Sequence, residues 1–205
     1  MNYIDSLGLQ LHGKRALDAG CGVGYFSRFL ISRGCVVTSV DARPELVAEA
    51  RVRVPEAEVL QVNIEKDSLD NLGKFDVVLA YGLVYHLENP LAGLRNLASA
   101  CGSLLMIESM VCDSEYPVVL LEDETLSYSQ ALRGLGTRPS PSFLVMALSR
   151  LGFEFIYTGK TPPDHPDFRF EWKNDMAVRR DGCLLRWTLV ASRVEIPNTT
   201  LISLV

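Results

Sequence analysis

Two short stretches hold the residues best suited to chemistry. "DAGCGVG" places glycines at 20, 22 and 24 between an acid, Asp18, and a helical pattern. Such a run lets the backbone turn sharply and approach a ligand without interference from Cβ atoms. The spacing is G-x-G-x-G, whereas dinucleotide binders use G-x-G-x-x-G with a third glycine spaced for a pyrophosphate. A carboxylate just before the turn would repel a pyrophosphate but suits a ligand carrying an ammonium group. Asp41 ends the next apolar run, where an acid can accept two hydrogen bonds from ribose hydroxyls. Together these residues call for a nucleoside that bears a cation and little or no phosphate.

The second stretch is "YGLVYHLENP", residues 81–90, which starts as a buried strand and ends in Tyr85 and His86. These two are the candidate catalytic residues. A histidine titrating near neutrality can take a proton from a hydroxyl or a protonated amine, while the bland alternative is a histidine that only ties down the loop. Tyr85, with an ordinary pKa of about 10, fits a pocket wall better than a base. Glu108 closes a further apolar run and either binds substrate, caps a helix or pairs with an arginine. His165, in "PPDHPDF", has Asp164 and Asp167 beside it but no further ligands in reach along the chain, so no metal is expected.

Positioning these groups requires short strands alternating with helices, the rhythm of βαβ units around a parallel sheet. "RALDAG" reads as the first strand, breaking into the glycine turn. "YFSRFLISRG" follows as a helix with Phe26, Phe29 and Leu30 on one face and Gly34 as its stop. "CVVTSVDA" is the second strand, and Pro44 opens the next helix. "AEVLQVN" is the third strand, ending at Asn63, and "FDVVLAYG" the fourth, nearly continuous in apolar residues as a doubly covered strand should be. Asn89 and Pro90 form an N-cap and first-turn pair for a helix, and "GSLLMIES" is the fifth strand. An insertion follows, read with one helix near Leu126 to Leu135; Ser140 and Pro141 then cap another helix. "GFEFIYTG" and "CLLRWTLVAS" are the sixth and seventh strands. Between them lies a connection too long for a tight hairpin, in which Phe168, Phe170 and Trp172 alternate like one face of a strand or a lid.

"LDAGCGVGYFS" followed by "VTSVDA" closely resembles motif I and the following acidic strand of class I methyltransferases dependent on S-adenosylmethionine (SAM), over roughly Arg15 to Ser109. SAM is a nucleoside of the required kind. The resemblance implies an α/β, Rossmann-like fold: a seven-stranded, mostly parallel sheet flanked by helices, with an antiparallel last strand. It also implies that Asp18, Gly20 and Gly22 hold the methionine end of the cofactor, with Cys21 and Tyr25 as further cofactor-binding residues. Asp41 would take the ribose, with Ala42 as a further cofactor-binding residue, Asn63 and Ile64 would sit at the adenine edge, and Tyr81, Gly82 and Leu83 would stand beside the cofactor. "GLVYHLENPLAGL" is similar to ubiquinone/menaquinone-type methyltransferases, which implies methyl transfer to an oxygen or nitrogen of a small molecule and release of S-adenosylhomocysteine (SAH). "YHLENPL", "IESMVCD" and "PSPSFLVMALSRLGF" are similar to the tRNA wobble-uridine carboxymethyltransferase-like group. A carboxylated cofactor would need a cation near the transferred group, with Arg43 and Arg138 as candidates. The alternatives are therefore carboxymethyl or methyl transfer to tRNA, or an NAD-dependent oxidoreductase built on the same turn.

The 205 residues suit one domain, with acceptor-site insertions near 110–140 and 160–181. A net charge of −5 argues against nucleic acid as a partner, because phosphate binding leans on clustered Lys and Arg. Five scattered cysteines without a C-x-x-C pair suggest reduced thiols in a cytoplasmic protein. The first residues lack a signal-peptide pattern, and no apolar run is long enough to span a bilayer. The apolar tail "RVEIPNTTLISLV" either packs back on the sheet or makes a homodimer contact.

Overall fold

The computed structural model describes residues 2–126 and 130–205. After a short helix, α1 (Asn2–Ser6), strand β1 (Arg15–Ala19) leads through the glycine turn into α2 (Tyr25–Ser32). Then come β2 (Val36–Asp41), α3 (Pro44–Arg53), β3 (Glu58–Gln61), β4 (Phe75–Tyr81), α4 (Pro90–Ala100) and β5 (Cys101–Met110). The capping signals act as expected. Asn89 accepts from the Ala92 N–H, Ser140 accepts from the Phe143 N–H, and each is followed by a proline in the first turn.

Beyond β5 the chain forms β6 (Val119–Asp123), β7 (Leu135–Pro139), α5 (Pro141–Arg150) and β8 (Phe155–Gly159). Then follow β9 (Arg179–Arg180), β10 (Cys183–Leu184), β11 (Arg186–Ser192) and β12 (Leu201–Ser203). The main sheet runs β12-β8-β11-β5-β4-β1-β2-β3. Strands β1 to β5 pair in parallel, and β11 inserts antiparallel between β5 and β8. The fold expected from the sequence is therefore present, with one strand more: the tail adds β12 antiparallel to β8, so the sheet has eight strands instead of seven.

Alternation along the strands splits the core in two. Val78, Ala80, Leu105, Ile107 and Leu189 face α4 and α5, while Val77, Leu79, Met106 and Val190 face α1 and α2. Among the described residues no helix is long and apolar enough to cross a membrane.

Three local expectations change. Ser127 to Ser129, within the stretch read as a helix from Leu126 to Leu135, lie outside the described residues; the rest of that stretch is loop and turn, leading from β6 into its antiparallel partner β7. The physical reason is long-range. A Cβ at Gly136 would sit 2.6 Å from the Tyr85 carbonyl oxygen, so β7 is held by packing against the 3-10 turn Val84–His86 that follows β4 and not by its own propensity. The seventh strand is broken at Leu185: Cys183–Leu184 pairs with Arg179–Arg180, and only Arg186–Ser192 joins the main sheet. The aromatic alternation is not a strand either. Phe168 ends a single 3-10 turn, and Phe170 stacks edge-on with Trp172 at 4.6 Å.

Candidate active site

Strand order reverses direction between β1 and β4, and a crevice opens there beyond the carboxyl ends of the strands. It holds a cavity of about 400 Å³, within the ~300–1,000 Å³ span of small-molecule sites. The glycine turn forms one wall. Gly20 has φ +69°, and a Cβ there would lie 2.7 Å from Leu83, so the turn and the loop after β4 can meet only around a glycine. Gly22 has φ +53°, with nothing within 4 Å of the Cβ position: its bare backbone faces open space in the cavity wall.

Asp18 is placed differently from its neighbours. It is buried beneath the turn and does not line the cavity. Its Oδ2 accepts from Ser27 Oγ at 2.6 Å, and Ser27 Oγ in turn accepts from Ser39 Oγ at 2.9 Å. Ser27 is in the first turn of α2, whose N-cap, Gly24, has no side chain to offer; the carboxylate on β1 does that capping from below. Burial raises its pKa to about 6, against hydrogen bonds from Ser27 that lower it.

Asp41 does face the cavity. Its Oδ2 accepts from the Gly22 N–H at 3.0 Å and its Oδ1 from the Arg43 N–H at 2.9 Å, which fixes the carboxylate and leaves a lone pair on each oxygen for a ligand. Burial raises its pKa despite these bonds. Gly20, Cys21, Tyr25, Ala42, Asn63, Ile64, Tyr81 and Leu83 line the same space. Asn63 Oδ1 already accepts from the Glu65 N–H at 3.0 Å, so one lone pair remains there. A turn of bare backbone, a fixed carboxylate with lone pairs to spare and apolar walls fit an adenine nucleoside.

Tyr85 and His86 line this cavity too, so they share a space with the glycine turn and Asp41. His86 Nδ1 meets Glu124 Oε2 at 2.6 Å. Glu124 is also bound by the Ala131 N–H at 2.8 Å and by Arg138 Nη1 at 3.1 Å. Burial pushes Glu124 up, but hydrogen bonds from His86, Ala131 and Arg138 outweigh it and keep the carboxylate ionised. Burial pushes His86 below its usual range, with Glu124 opposing. A neutral imidazole beside an ionised acceptor must donate from Nδ1, which leaves Nε2 as the basic atom.

The expected cations are already engaged. Arg138 is buried and turned to Glu124, and Arg43 Nη2 donates to the carbonyls of Gln130 and Ala131. Glu108 takes the arginine-pairing role: Arg186 Nη1 donates to its Oε1 at 2.8 Å. It also lines a second cavity of about 450 Å³, which touches the first through Tyr81 and Phe26. Their rings pack edge to face at 5.3 Å and form the partition between the two. His165 and Asp167 face the second cavity, with Asp164 paired instead to Arg169 at 2.7 Å.

Sequence reasoning missed Glu124, Arg186 and Thr188. Glu124 reaches His86 only through the β6–β7 pairing. Arg186 and Thr188 alternate along β11, a signal that becomes readable once that strand is known to run antiparallel beside β5.

Residues 17–102 match the methyltransferase domain family. A ubiquinone biosynthesis O-methyltransferase of Xanthomonas euvesicatoria is 39% identical over 110 residues, 51% of this chain and 44% of that protein. A tRNA U34 carboxymethyltransferase of Alteromonas mediterranea is 31% identical over 159 residues, 71% of this chain and 46% of that protein. The chain thus spans less than half the length of these curated relatives. Among solved structures, the N-terminal domain of EvdMO1, with SAH and D-fucose, superposes with a TM-score of 0.72 at 18% identity, over 93% of this chain and 79% of that one. The magnesium protoporphyrin IX methyltransferase of Synechocystis PCC 6803, with SAM, gives 0.61 at 20% identity, over 94% and 76%. Over residues 17–102 the chain is thus similar in sequence to the methyltransferase domain family, and its sheet order, with a cavity at the strand ends, is the fold of these solved structures.

Proposed function

We propose that this protein transfers the methyl group of SAM to an oxygen or nitrogen of a small molecule and releases SAH. One observation carries the reading: the glycine turn, the fixed Asp41 carboxylate and the Tyr85–His86 pair open onto one cavity. When bound, SAM supplies an activated methyl carbon, so the protein's task is to align the acceptor and exclude water. Asp41 holds the ribose diol through its two remaining lone pairs, and Asn63 and Ile64 border the adenine. The Gly20–Gly22 backbone lies along the methionine end; Asp18 contributes by holding α2 and the turn in place. Tyr81 and Leu83 close the space beside the sulfur. Tyr85 walls the acceptor side, where His86 Nε2 receives the acceptor's proton.

The relative that carboxymethylates tRNA shares the segment around His86, but two features favour plain methyl transfer to a small molecule. Arg138 is buried against Glu124 and does not line the cavity, Arg43 lines it but is engaged by the Gln130 and Ala131 carbonyls, and the net charge is −5. Calorimetry tests the reading. SAM and SAH should bind at micromolar levels and NADH should not; failure of both nucleosides at those levels overturns it.

A further inference from the structure

Three strand-end residues in adjacent strands form a row whose polar side-chain atoms the proposed methyl transfer leaves unused. Tyr81 on β4 is in register with Glu108 on β5, and Glu108 is in register with Thr188 on β11. Side chains in register share a face, so the row lies across the α1 side of the sheet, above the apolar residues Leu79, Met106 and Val190. All three line the second cavity, with Tyr3 of α1 on top, its hydroxyl 2.7 Å from Thr188 Oγ1. Arg186 stands at one end, held by Glu108 at 2.8 Å and Asp167 at 3.5 Å.

The Tyr81 hydroxyl is buried and has no hydrogen-bond partner among the described residues. Such a group is costly to leave unmade, and it points to a ligand. Burial, with Tyr3 and Glu108 nearby, raises the Tyr81 pKa well above its usual value, so the phenol is a neutral donor. Glu108 Oε1 is taken by Arg186, which leaves Oε2 to accept. One donor and one acceptor in a row match an uncharged hydroxyl, which can accept from the first and donate to the second. The local charge selects further. Glu108 and Asp167 outnumber Arg186, so an anion is repelled, while an ammonium has no lone pair to offer Tyr81 and meets the guanidinium.

We propose that this second cavity is a specificity subsite for the methyl acceptor and that it reads an uncharged hydroxyl on it through Tyr81 and Glu108. The inference rests on the methyltransferase reading for the word acceptor, but the subsite itself does not need the cofactor. The walls contributed by Phe26, Tyr81 and Phe168 suit a probe with one ring. Benzyl alcohol, benzylamine and benzoate share that ring and differ only in the charge of the attached group.

The test is titration of these three compounds into the protein, with and without saturating SAH, followed by NMR. Benzyl alcohol should bind best and perturb Tyr81 and Thr188. Tyr81→Phe should weaken it about fivefold to tenfold, the loss expected for one hydrogen bond. Glu108→Gln should weaken benzyl alcohol and strengthen benzoate, a reversal that a merely structural role would not produce. Tighter binding of benzoate or benzylamine by the unaltered protein overturns the proposal, as does unchanged benzyl alcohol affinity in both variants or no binding of it at all. Should SAH fail to bind while benzyl alcohol binds as described, the subsite stands and the methyltransferase reading falls.

Discussion

At the scale of the residue, the two stretches that drew attention behave differently. Asp41 and the glycine turn were legible because their roles depend on local backbone geometry. Tyr85 and His86 were legible as residue types, but the partner that sets the histidine's tautomer lies 38 residues away in sequence. If His86 Nε2 is the base, His86→Ala should lower turnover by about 100-fold or more with SAM affinity retained. Its folded pKa is depressed by burial, so the rate should fall on the acid side only at a pH below the usual histidine range. Unchanged turnover in the variant would reduce His86 to a tie for the loop. Asp18 read as a ligand of an ammonium group, yet the structure makes it the buried cap of α2. Its pKa is raised from 3.8 to about 6, so the folded state holds its proton more tightly than the unfolded chain. Stability from this group is full below the unfolded value and is lost as pH rises through the folded one. The total is roughly 3 kcal/mol at about 1.4 kcal/mol per unit, and about half of it falls between pH 5 and 7.5. Asp18→Asn should remove that slope in urea unfolding; an unaltered slope means that Asp18 is not its source.

Among the elements, the parallel strands and their helices were readable because apolar runs, prolines and capping residues act within a few positions of themselves. The β6–β7 hairpin was not. Its register sets Leu120 opposite Arg138, and the chain just beyond β6 brings Glu124 to both Arg138 and His86. Those contacts exist only in the folded molecule, so a helical pattern read from the sequence could not anticipate them. The hairpin is thus the element that orients the proposed base. Glu124→Ala would leave Arg138, itself buried, without its nearest carboxylate, and Glu122 at 4.0 Å offers weak compensation. We expect a loss of about 3 kcal/mol in chemical denaturation, as for other broken buried pairs. The same variant should lower the His86 pKa further, because Glu124 is the group that raises it. A 2D NMR titration of the ring would show the shift; an unmoved pKa would mean that the pair does not operate in solution.

Across the whole molecule, the two cavities depend on different parts of the sheet. The cavity proposed for the nucleoside is built on β1, β2 and β4, whereas the second cavity is roofed by α1, and α1 is held by the tail. Asn198 Nδ2 and Thr200 Oγ1 both donate to the Leu7 carbonyl just after α1, and Leu201 buries its side chain as β12 pairs with β8. Tyr3 packs over Gly159 at the end of β8, where a Cβ would lie 2.5 Å from its hydroxyl. Three residues of edge strand are too short to announce themselves in a sequence, which is why the tail could be read only as apolar. Its removal should act unequally on the two sites. A chain ending at Ile196 loses the clamp on α1, the burial of Leu201, worth about 1.5–3 kcal/mol, and the cover on the β8 edge. SAM affinity should stay within about twofold, since β1, β2 and β4, which carry its cavity, do not pair with β12, while benzyl alcohol affinity should drop by about tenfold or more as Tyr3 loses its place. The bared β8 edge should also raise self-association, visible by light scattering. If the shortened chain stays monomeric and binds both ligands as before, α1 keeps its position without the tail and the dependence argued here is wrong.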